Sequence, residues 1–354
     1  MSGLSLFSHP DYDSHERVLH FFDNNSGAKG VIAIHNTHRG PSLGGCRIWP
    51  YTTGAEALTD ALRLSRGMTY KAALANLNLG GGKAVVMANP KTDKSEQFFK
   101  GIAQAVNDLC GKYITAEDVG TTVKDMVVMK KYTNHVVGLP ENLDQDDGDP
   151  SPYTSYGIFQ GILASVRHRF KTDQMTGLTV AVQGVGKVGY HLCHLLHAAG
   201  AKLIVCDLDE QNVARVVSEC QATRVNPNEI YGIKADILSP CALGGMINDE
   251  TIPQLKVAIV AGGANNQLAL PRNGTALSDR KILYAPDYAI SAGGLIRVTY
   301  DGKDFQKQDV IDHVGQIYHT MLEVYNRAEE QGILPSQAAD QVAEKRFGKI
   351  QVKQ

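Results

Sequence analysis

Six residues, GVGKVG at Gly184–Gly189, restrict the fold of this 354-residue chain more than any other stretch. They follow the β-like segment Leu178–Gln183 (LTVAVQ) and open the helical segment YHLCHLLHAAG. A second β-like segment, KLIVCD, ends in Asp207, 18 residues after the last glycine. Strand, glycine turn, helix and a strand closing on an acid make up the dinucleotide fingerprint, which specifies a parallel βαβ unit. Gly184 permits the tight turn, Gly186 lets backbone approach a pyrophosphate, and Gly189 lets the helix pack on the strand. Val185, Lys187 and Val188 complete the loop, and the N–H groups of the helix start face the phosphates. Asp207 is suited to accept from ribose hydroxyls and to repel a 2′-phosphate, which favours NAD over NADP. Asp209 adds negative charge beside it. A glycine turn that binds nothing is the plainer alternative.

One such unit leaves much of the chain unexplained. A length of 354 residues exceeds the size at which a single core usually stops growing, so two domains are expected. Hydrophobic residues at 43% and charged ones at 20% make the composition globular and exclude a disordered chain. The net charge of −2, without basic blocks, argues against nucleic acid as a partner. Six scattered cysteines with no CxxC pair suit reduced thiols in a cytoplasmic protein. The N-terminus carries no signal-peptide pattern, and no stretch reaches the roughly 20 apolar residues that a membrane helix requires.

Helix and strand signals alternate along the first part, as in α/β architecture. Val18–Phe22 and Val31–Ile34 suggest a hairpin turning at Asp23–Gly27, and Glu56–Leu74 has the apolar spacing of an amphipathic helix. Strands are expected at Ala84–Met87 and Lys112–Thr115, with a helix around Gln97–Leu109 between them. The acidic segment Asp144–Pro152 reads as a solvated linker, since an EF-hand arrangement is absent. Ser151 and Pro152 fit an N-cap and first helical position, with the helix running towards Phe170. His191, His194 and His197 span more than one helix face without an obvious carboxylate partner, so no metal site is expected there.

The first part also carries GGGK at Gly80–Lys83. A Walker loop would need glycine in place of Leu77 and Ser or Thr in place of Ala84, so that reading fails. Three glycines let the chain pass close to another backbone or to a ligand. Lys71 lies 12 residues before Lys83, and Glu117–Asp118 ends the segment YITAED. These are either surface lysines with a capping acid, or a carboxylate anchor, a tuned base and a proton partner. Pattern alone does not choose.

Six segments together carry a resemblance. GPSLGGCRIWPY (Gly40–Tyr51), GMTYKAALANLNLGGGKAVV (Gly67–Val86), YITAEDVGTTVKDM (Tyr113–Met126), AVQGVGKVGYHLCHLLHAAGAKLIVCD (Ala181–Asp207), DILSPCALGGMIND (Asp236–Asp249) and APDYAISAGGLI (Ala285–Ile296) are similar to the leucine dehydrogenase branch of the amino-acid dehydrogenase superfamily. The likeness runs from about Val18 to about Ala343. It implies an α/β fold of two domains around a cleft that closes on the substrate. One is a substrate and oligomerisation domain over 1–149 with a C-terminal return over 331–354. The other is a Rossmann-type NAD domain over 150–330. It implies NAD-dependent, reversible oxidative deamination of an L-amino acid to a 2-oxo acid and ammonia by a homo-oligomer.

On this resemblance, Lys71 would bind the substrate carboxylate with backbone at Gly44 and Gly45, Lys83 would be the catalytic lysine, and Asp118 would exchange protons with the amino nitrogen. Thr154 and Asn265 would lie at the nicotinamide end, and Asn266 near the substrate carboxylate. In the glutamate enzymes a lysine and a serine grip the distal carboxylate. Leu43 and Val298 stand at those positions here, so a charged tail would be buried without a partner. With Met68, Ala116 and Leu295, the pocket would prefer a branched aliphatic side chain. An aromatic substrate, or a silent NAD-binding sensor, is the alternative. The chain departs from the family at Ser291 (usually asparagine), at Val137 (a threonine in leucine enzymes) and at GGANN, Gly262–Asn266.

Overall fold

The computed structural model describes residues 5–139, 149–300 and 305–349. The acidic linker, through Gly148, lies outside the described residues. The chain forms two compact units, Met1–Gly148 with Ala343–Gln354, and Asp149–Val342.

The first unit is a five-stranded mixed sheet covered on both faces by helices. Its elements are β1 (Arg17–Phe22), β2 (Lys29–Asn36), β3 (Ser42–Trp49), α1 (Gly54–Leu74), β4 (Gly80–Met87), α2 (Glu96–Asn107), β5 (Tyr113–Glu117) and α3 (Val123–Lys130). The strand order is β1-β2-β4-β3-β5. The hairpin forms as expected, with Val18 opposite Ala33 and Phe21 opposite Gly30. Burial on both sides explains the unbroken apolar run of β2. Val31, Ala33 and Val85 pack with Ala57, Ala61 and Leu62 of α1. Ile32, Ile34, Ala84 and Val86 pack with Phe98, Phe99 and Ile102 of α2.

Thr53 caps α1 by accepting from Glu56 N at 3.2 Å. Small residues let this helix lie close on the sheet. A Cβ on Gly81 would stand 2.0 Å from Thr69 N, so β4 tolerates no side chain there. Gly81 therefore serves the packing of strand against helix, while a Cβ on Gly80 would meet Asn36 O at 1.8 Å and one on Gly82 the Tyr113 ring at 2.7 Å.

The second unit contains α4 (Ser151–Phe170), β6 (Thr179–Gln183), α5 (Lys187–Ala198), β7 (Lys202–Cys206), α6 (Glu210–Cys220), β8 (Thr223–Arg224), β9 (Ile237–Pro240), β10 (Ile259–Val260), α7 (Arg272–Asp279), β11 (Leu283–Tyr284), α8 (Asp287–Ile290), α9 (Gly293–Val298) and α10 (Lys307–Gln331). A last helix, α11 (Pro335–Phe347), runs across the division at Ala343. The sheet is parallel throughout, in the order β11-β10-β9-β6-β7-β8. Strand order reverses at β6, whose neighbours are β7 and β9. In doubly wound sheets such a reversal opens a ligand crevice at the strand ends.

One local expectation needs correcting. Pro150, not Ser151, occupies the N-cap of α4, and Ser151 and Pro152 are its first two helical residues. Asp149 Oδ1 accepts the Ser151 N–H at 2.9 Å, which satisfies the first free amide of the helix.

Candidate active site

Side-chain parity puts charged groups on one face of the first sheet. Cys46, Ile48, Ala84 and Val86 enter the core shared with α2. Residues of the opposite parity turn towards α1, and there Arg47 and Lys83 interrupt the apolar pattern. Lys83 is 4% exposed. Its Nζ lies 2.9 Å from Oδ1 of Asp118, the residue that follows β5. The other carboxylate oxygen receives Arg47 Nε at 2.8 Å. Arg47 also reaches Asp60 of α1, with Nη1 to Oδ2 at 3.0 Å, and Tyr51 OH donates to that same aspartate. Thr121 Oγ1 accepts the Asp118 N–H at 2.8 Å and donates to Cys46 O at 3.0 Å, fixing the turn after β5.

Of the two glycines of β3, Gly45 makes room for this cluster and Gly44 for the backbone of β4. A Cβ on Gly45 would stand 2.6 Å from Asp118 Cβ, and one on Gly44 1.7 Å from Gly82 O. Gly45 is thus the clearance through which Asp118 reaches its partners.

Burial lowers the Lys83 pKa; Asp118 opposes this, and the like charge of Arg47 adds to it. Burial raises Asp118, but Lys83 and then Arg47 outweigh it and hold its carboxyl below the usual range. The result is an ionised acid beside an amine that gives up its proton more readily than an exposed lysine. Cys46, on the other face of β3, is pushed by burial up to about 12 and stays a thiol.

Of the other expected residues in this unit, Leu43 is buried on β3. Met68 and Lys71 lie partly buried near the end of α1, and Ala116 partly buried on β5. Val137 donates to Thr115 O at 3.0 Å. Arg47 was not among the candidates, although it stands in the quoted segment GPSLGGCRIWPY. Its signal was parity: on a buried strand it falls on the side of Gly45 and Leu43, where an apolar residue belongs.

In the second unit the three loop glycines have different structural reasons. Gly184 has a left-handed φ of +90°, and a Cβ there would stand 2.8 Å from Ala242 N. On Gly189 it would meet Gly184 O at 2.0 Å. At Gly186, the N-cap of α5, it would meet nothing within 4 Å, and no side chain caps the helix. Protein packing does not demand glycine at 186; a ligand lying against the backbone would. Val185 N donates to Asp207 Oδ2 at 2.7 Å, and Asp209 N to Oδ1 at 2.9 Å. The acid therefore braces the glycine loop, and each oxygen retains lone-pair capacity for a diol. Val188 O accepts from Ser155 Oγ at 2.7 Å, and Lys187 pairs with Asp149 at 3.1 Å.

Thr154 Oγ1 donates to Pro150 O at 3.0 Å. The start of α9 closes on it, since a Cβ on Gly294 would stand 2.7 Å from that hydroxyl. Asn265 and Asn266 are exposed, and Asn266 has φ +53° with its carbonyl accepting Gly245 N at 2.7 Å. Leu295 and Val298 are partly buried on α9, and Ser291 is buried at the end of α8.

His194 does have a carboxylate partner, contrary to expectation: Glu219 Oε2 of α6 lies 2.9 Å from its Nε2. The neighbouring helix supplies it, so helix spacing could not reveal it. Among the described residues no group of three or more His, Cys, Asp or Glu is arranged to hold a metal, and no helix is long and apolar enough to cross a membrane. All six cysteines are free.

A buried lysine against an aspartate in an α/β unit, with a separate parallel-sheet unit carrying a dinucleotide loop, is an oxidoreductase arrangement. Residues 15–135 match the family described as Glu/Leu/Phe/Val dehydrogenase, dimerisation domain. Residues 207–347 match Glutamate/Leucine/Phenylalanine/Valine dehydrogenase. The chain belongs to this family of amino-acid dehydrogenases. It is 48% identical over 344 residues to leucine dehydrogenase of Geobacillus stearothermophilus, covering 97% of this chain and 94% of the relative. It is 42% identical over 351 residues to phenylalanine dehydrogenase of Caldalkalibacillus thermarum, covering 98% and 95%. The crystal structure of L-tryptophan dehydrogenase from Nostoc punctiforme superposes with a TM-score of 0.85 at 42% identity, over 95% of this chain and 96% of that one.

Proposed function

We propose that this enzyme catalyses the NAD-dependent, reversible oxidative deamination of a branched-chain L-amino acid, leucine, isoleucine or valine, to its 2-oxo acid and ammonia. The observation that carries this reading is the Lys83–Asp118 pair: an amine lowered by burial, 2.9 Å from an ionised carboxylate.

Lys71, with backbone at Gly44 and Gly45, binds the substrate α-carboxylate. Asp118 accepts from the substrate amino group and takes one of its protons. NAD, when bound, supplies the acceptor for hydride leaving the substrate Cα. Gly184–Gly189 and the start of α5 suit its pyrophosphate, Asp207 its adenosine ribose, and Thr154 and Asn265 its nicotinamide end. The substrate is then an iminium ion. Neutral Lys83 removes a proton from water as the oxygen attacks the iminium carbon. Lys83 passes the proton it took from water to solvent, and Asp118 returns its proton to nitrogen. Ammonia departs as the again neutral Lys83 takes the hydroxyl proton and the carbonyl forms; ammonia or solvent then receives that proton.

Substrate class follows from side chains. Leu43, Met68, Ala116, Leu295 and Val298 offer no partner to a charged tail, whose burial would cost several kcal/mol. A methylene alters pocket affinity by only about 1–3 kcal/mol, so the three aliphatic substrates compete closely. The relatives named for phenylalanine and tryptophan favour an aromatic substrate as the second reading. A homo-oligomer is part of the proposal, supported by the match to a dimerisation domain. A cytoplasmic setting suits the six free thiols.

Initial rates of NADH formation with a panel of L-amino acids test this. The highest kcat/KM belongs to a branched-chain substrate. An aromatic maximum would move the enzyme to the second reading, and NAD binding without any turnover would make it a sensor. Equal efficiency with NADP would remove the discriminating role from Asp207.

A further inference from the structure

We propose that Arg47 is a positioning residue for this reaction: its guanidinium, itself anchored by Asp60, holds the Asp118 carboxylate so that the acid orients Lys83 without fixing it as an ammonium ion. The inference rests on the amino-acid dehydrogenase reading above and concerns how its base is kept usable.

A buried lysine paired with a carboxylate alone has a handicap as a base. The attraction that holds the pair favours the charged lysine, and losing its proton would leave an uncompensated buried anion. Arg47 changes that balance. It stays charged throughout, and its Nε sits on Asp118 Oδ2 at 2.8 Å while Lys83 Nζ sits on Oδ1 at 2.9 Å. When Lys83 is neutral, Asp118 still has a cationic partner. The guanidinium also repels an ammonium at Lys83, whereas Asp118 and Asp60 favour one.

The arginine is held as firmly as it holds. Different nitrogens of one planar group bind aspartates from two elements, Asp118 after β5 and Asp60 on α1. Tyr51 OH donates to the Asp60 oxygen that binds Arg47. A lysine ammonium has no such fork and cannot reproduce both contacts with the same geometry. Arg63 of α1 acts on Asp60 through its charge, and Cys46 of β3 and Tyr113 of β5 lie behind the cluster in the core on the other face of the sheet. Burial raises both, so they remain neutral.

The test compares pH profiles of kcat/KM for oxidative deamination in wild type, Arg47→Gln and Arg47→Lys, with Asp60→Asn alongside. Arg47→Gln lowers kcat about 10- to 100-fold. It also moves the rising limb to higher pH by about one unit, because a cation beside Lys83 is gone. The KM for NAD changes by less than about two-fold. Arg47→Lys returns the limb towards its wild-type position while kcat recovers only in part. A purely structural arginine would lower the amount of active enzyme and leave the limb in place, so an unmoved limb in Arg47→Gln overturns the proposal. If Arg47→Gln does not fold, Asp60→Asn decides: a lower kcat per active site, with sites counted by NAD titration, at nearly unchanged substrate KM supports the proposal, and an unchanged kcat per active site overturns it. A wild-type enzyme that oxidises no amino acid would overturn the functional reading itself. A working wild type beside an unmoved limb overturns only the role of Arg47.

Discussion

Lys83 Nζ and Asp118 Oδ1 stand 2.9 Å apart, one residue buried in the middle of β4 and the other just beyond the end of β5. The two strands are not neighbours; β3 runs between them, and Gly45 on β3 leaves the gap through which the acid reaches. A lysine in such a place is lowered from its ordinary value of 10.5 by burial, with Asp118 working against the shift. The neutral amine is the active form for deamination. The rate of the wild-type enzyme therefore climbs with pH along a limb whose midpoint lies below 10.5. Asp118→Asn removes the charge that favours the ammonium form, so its limb moves to lower pH while kcat falls about 10²-fold. Measured pH profiles of kcat/KM check both parts, and a limb moving to higher pH would contradict the coupling.

The loop glycines separate stability from cofactor binding. Gly186→Ala places a methyl where no protein atom lies within 4 Å and φ is an ordinary −65°, so its melting temperature stays near wild type. Its KM for NAD rises, because the methyl intrudes on a ligand lying against that backbone. Gly189→Ala forces a methyl to 2.0 Å from Gly184 O and destabilises the unit, by about 1–3 kcal/mol. Thermal melts and NAD titrations of the pair check this. A destabilised Gly186→Ala with normal NAD affinity would show that the space serves folding.

Acid weakens the first unit through a cluster that the reaction does not use. His15 Nδ1 accepts Asp13 N–H at 3.2 Å, which leaves Nε2 to donate to Leu62 O at 3.0 Å. The ring is therefore neutral, and burial, then the like charge of His35, lowers it from 6.5 to about 4. A histidine lowered on folding contributes full stability above its unfolded value and loses it as pH falls from 6.5 to about 4. That contribution is on the order of 3 kcal/mol. Asp13 is held well below the carboxylate range by the His35 bond, which with Lys349 and Arg66 outweighs burial. Its share is lost at still lower pH, from about 4 downwards. The melting temperature falls in two stages on acidification, and His15→Gln flattens the first. An equally steep first stage in the variant would exonerate His15.

Chemistry carried by contiguous residues was open to reading along the chain; chemistry assembled across elements was not. The glycine loop, its strand and helix, and Asp207 are consecutive, and their order alone places them at the switch of a parallel sheet. Lys83 and Asp118 stood out as chemical types, yet their contact depends on which faces β3, β4 and β5 share. Arg47 and Asp60 were missed for that reason: one lies on a strand and the other on a helix crossing it, and only packing joins them. The same holds for Glu219 against His194. It holds also for Lys349, whose Nζ lies 3.2 Å from Tyr70 OH across 279 positions of sequence. No periodicity encodes a contact of that separation. The cap of α4 was misplaced by one residue because a serine before a proline is a good start signal, whereas Pro150 takes the cap and Asp149 receives the Ser151 N–H.

Lys83→Ala bears most directly on what the buried amine does. The variant retains the strand, since a small apolar side chain suits a buried β4, and NAD affinity measured by titration stays within about two-fold of wild type. Turnover of the best amino acid falls by at least about 10²-fold, with the loss in kcat rather than in NAD binding. A folded Lys83→Ala enzyme that turns over within about ten-fold of wild type would contradict the role of Lys83 as the base.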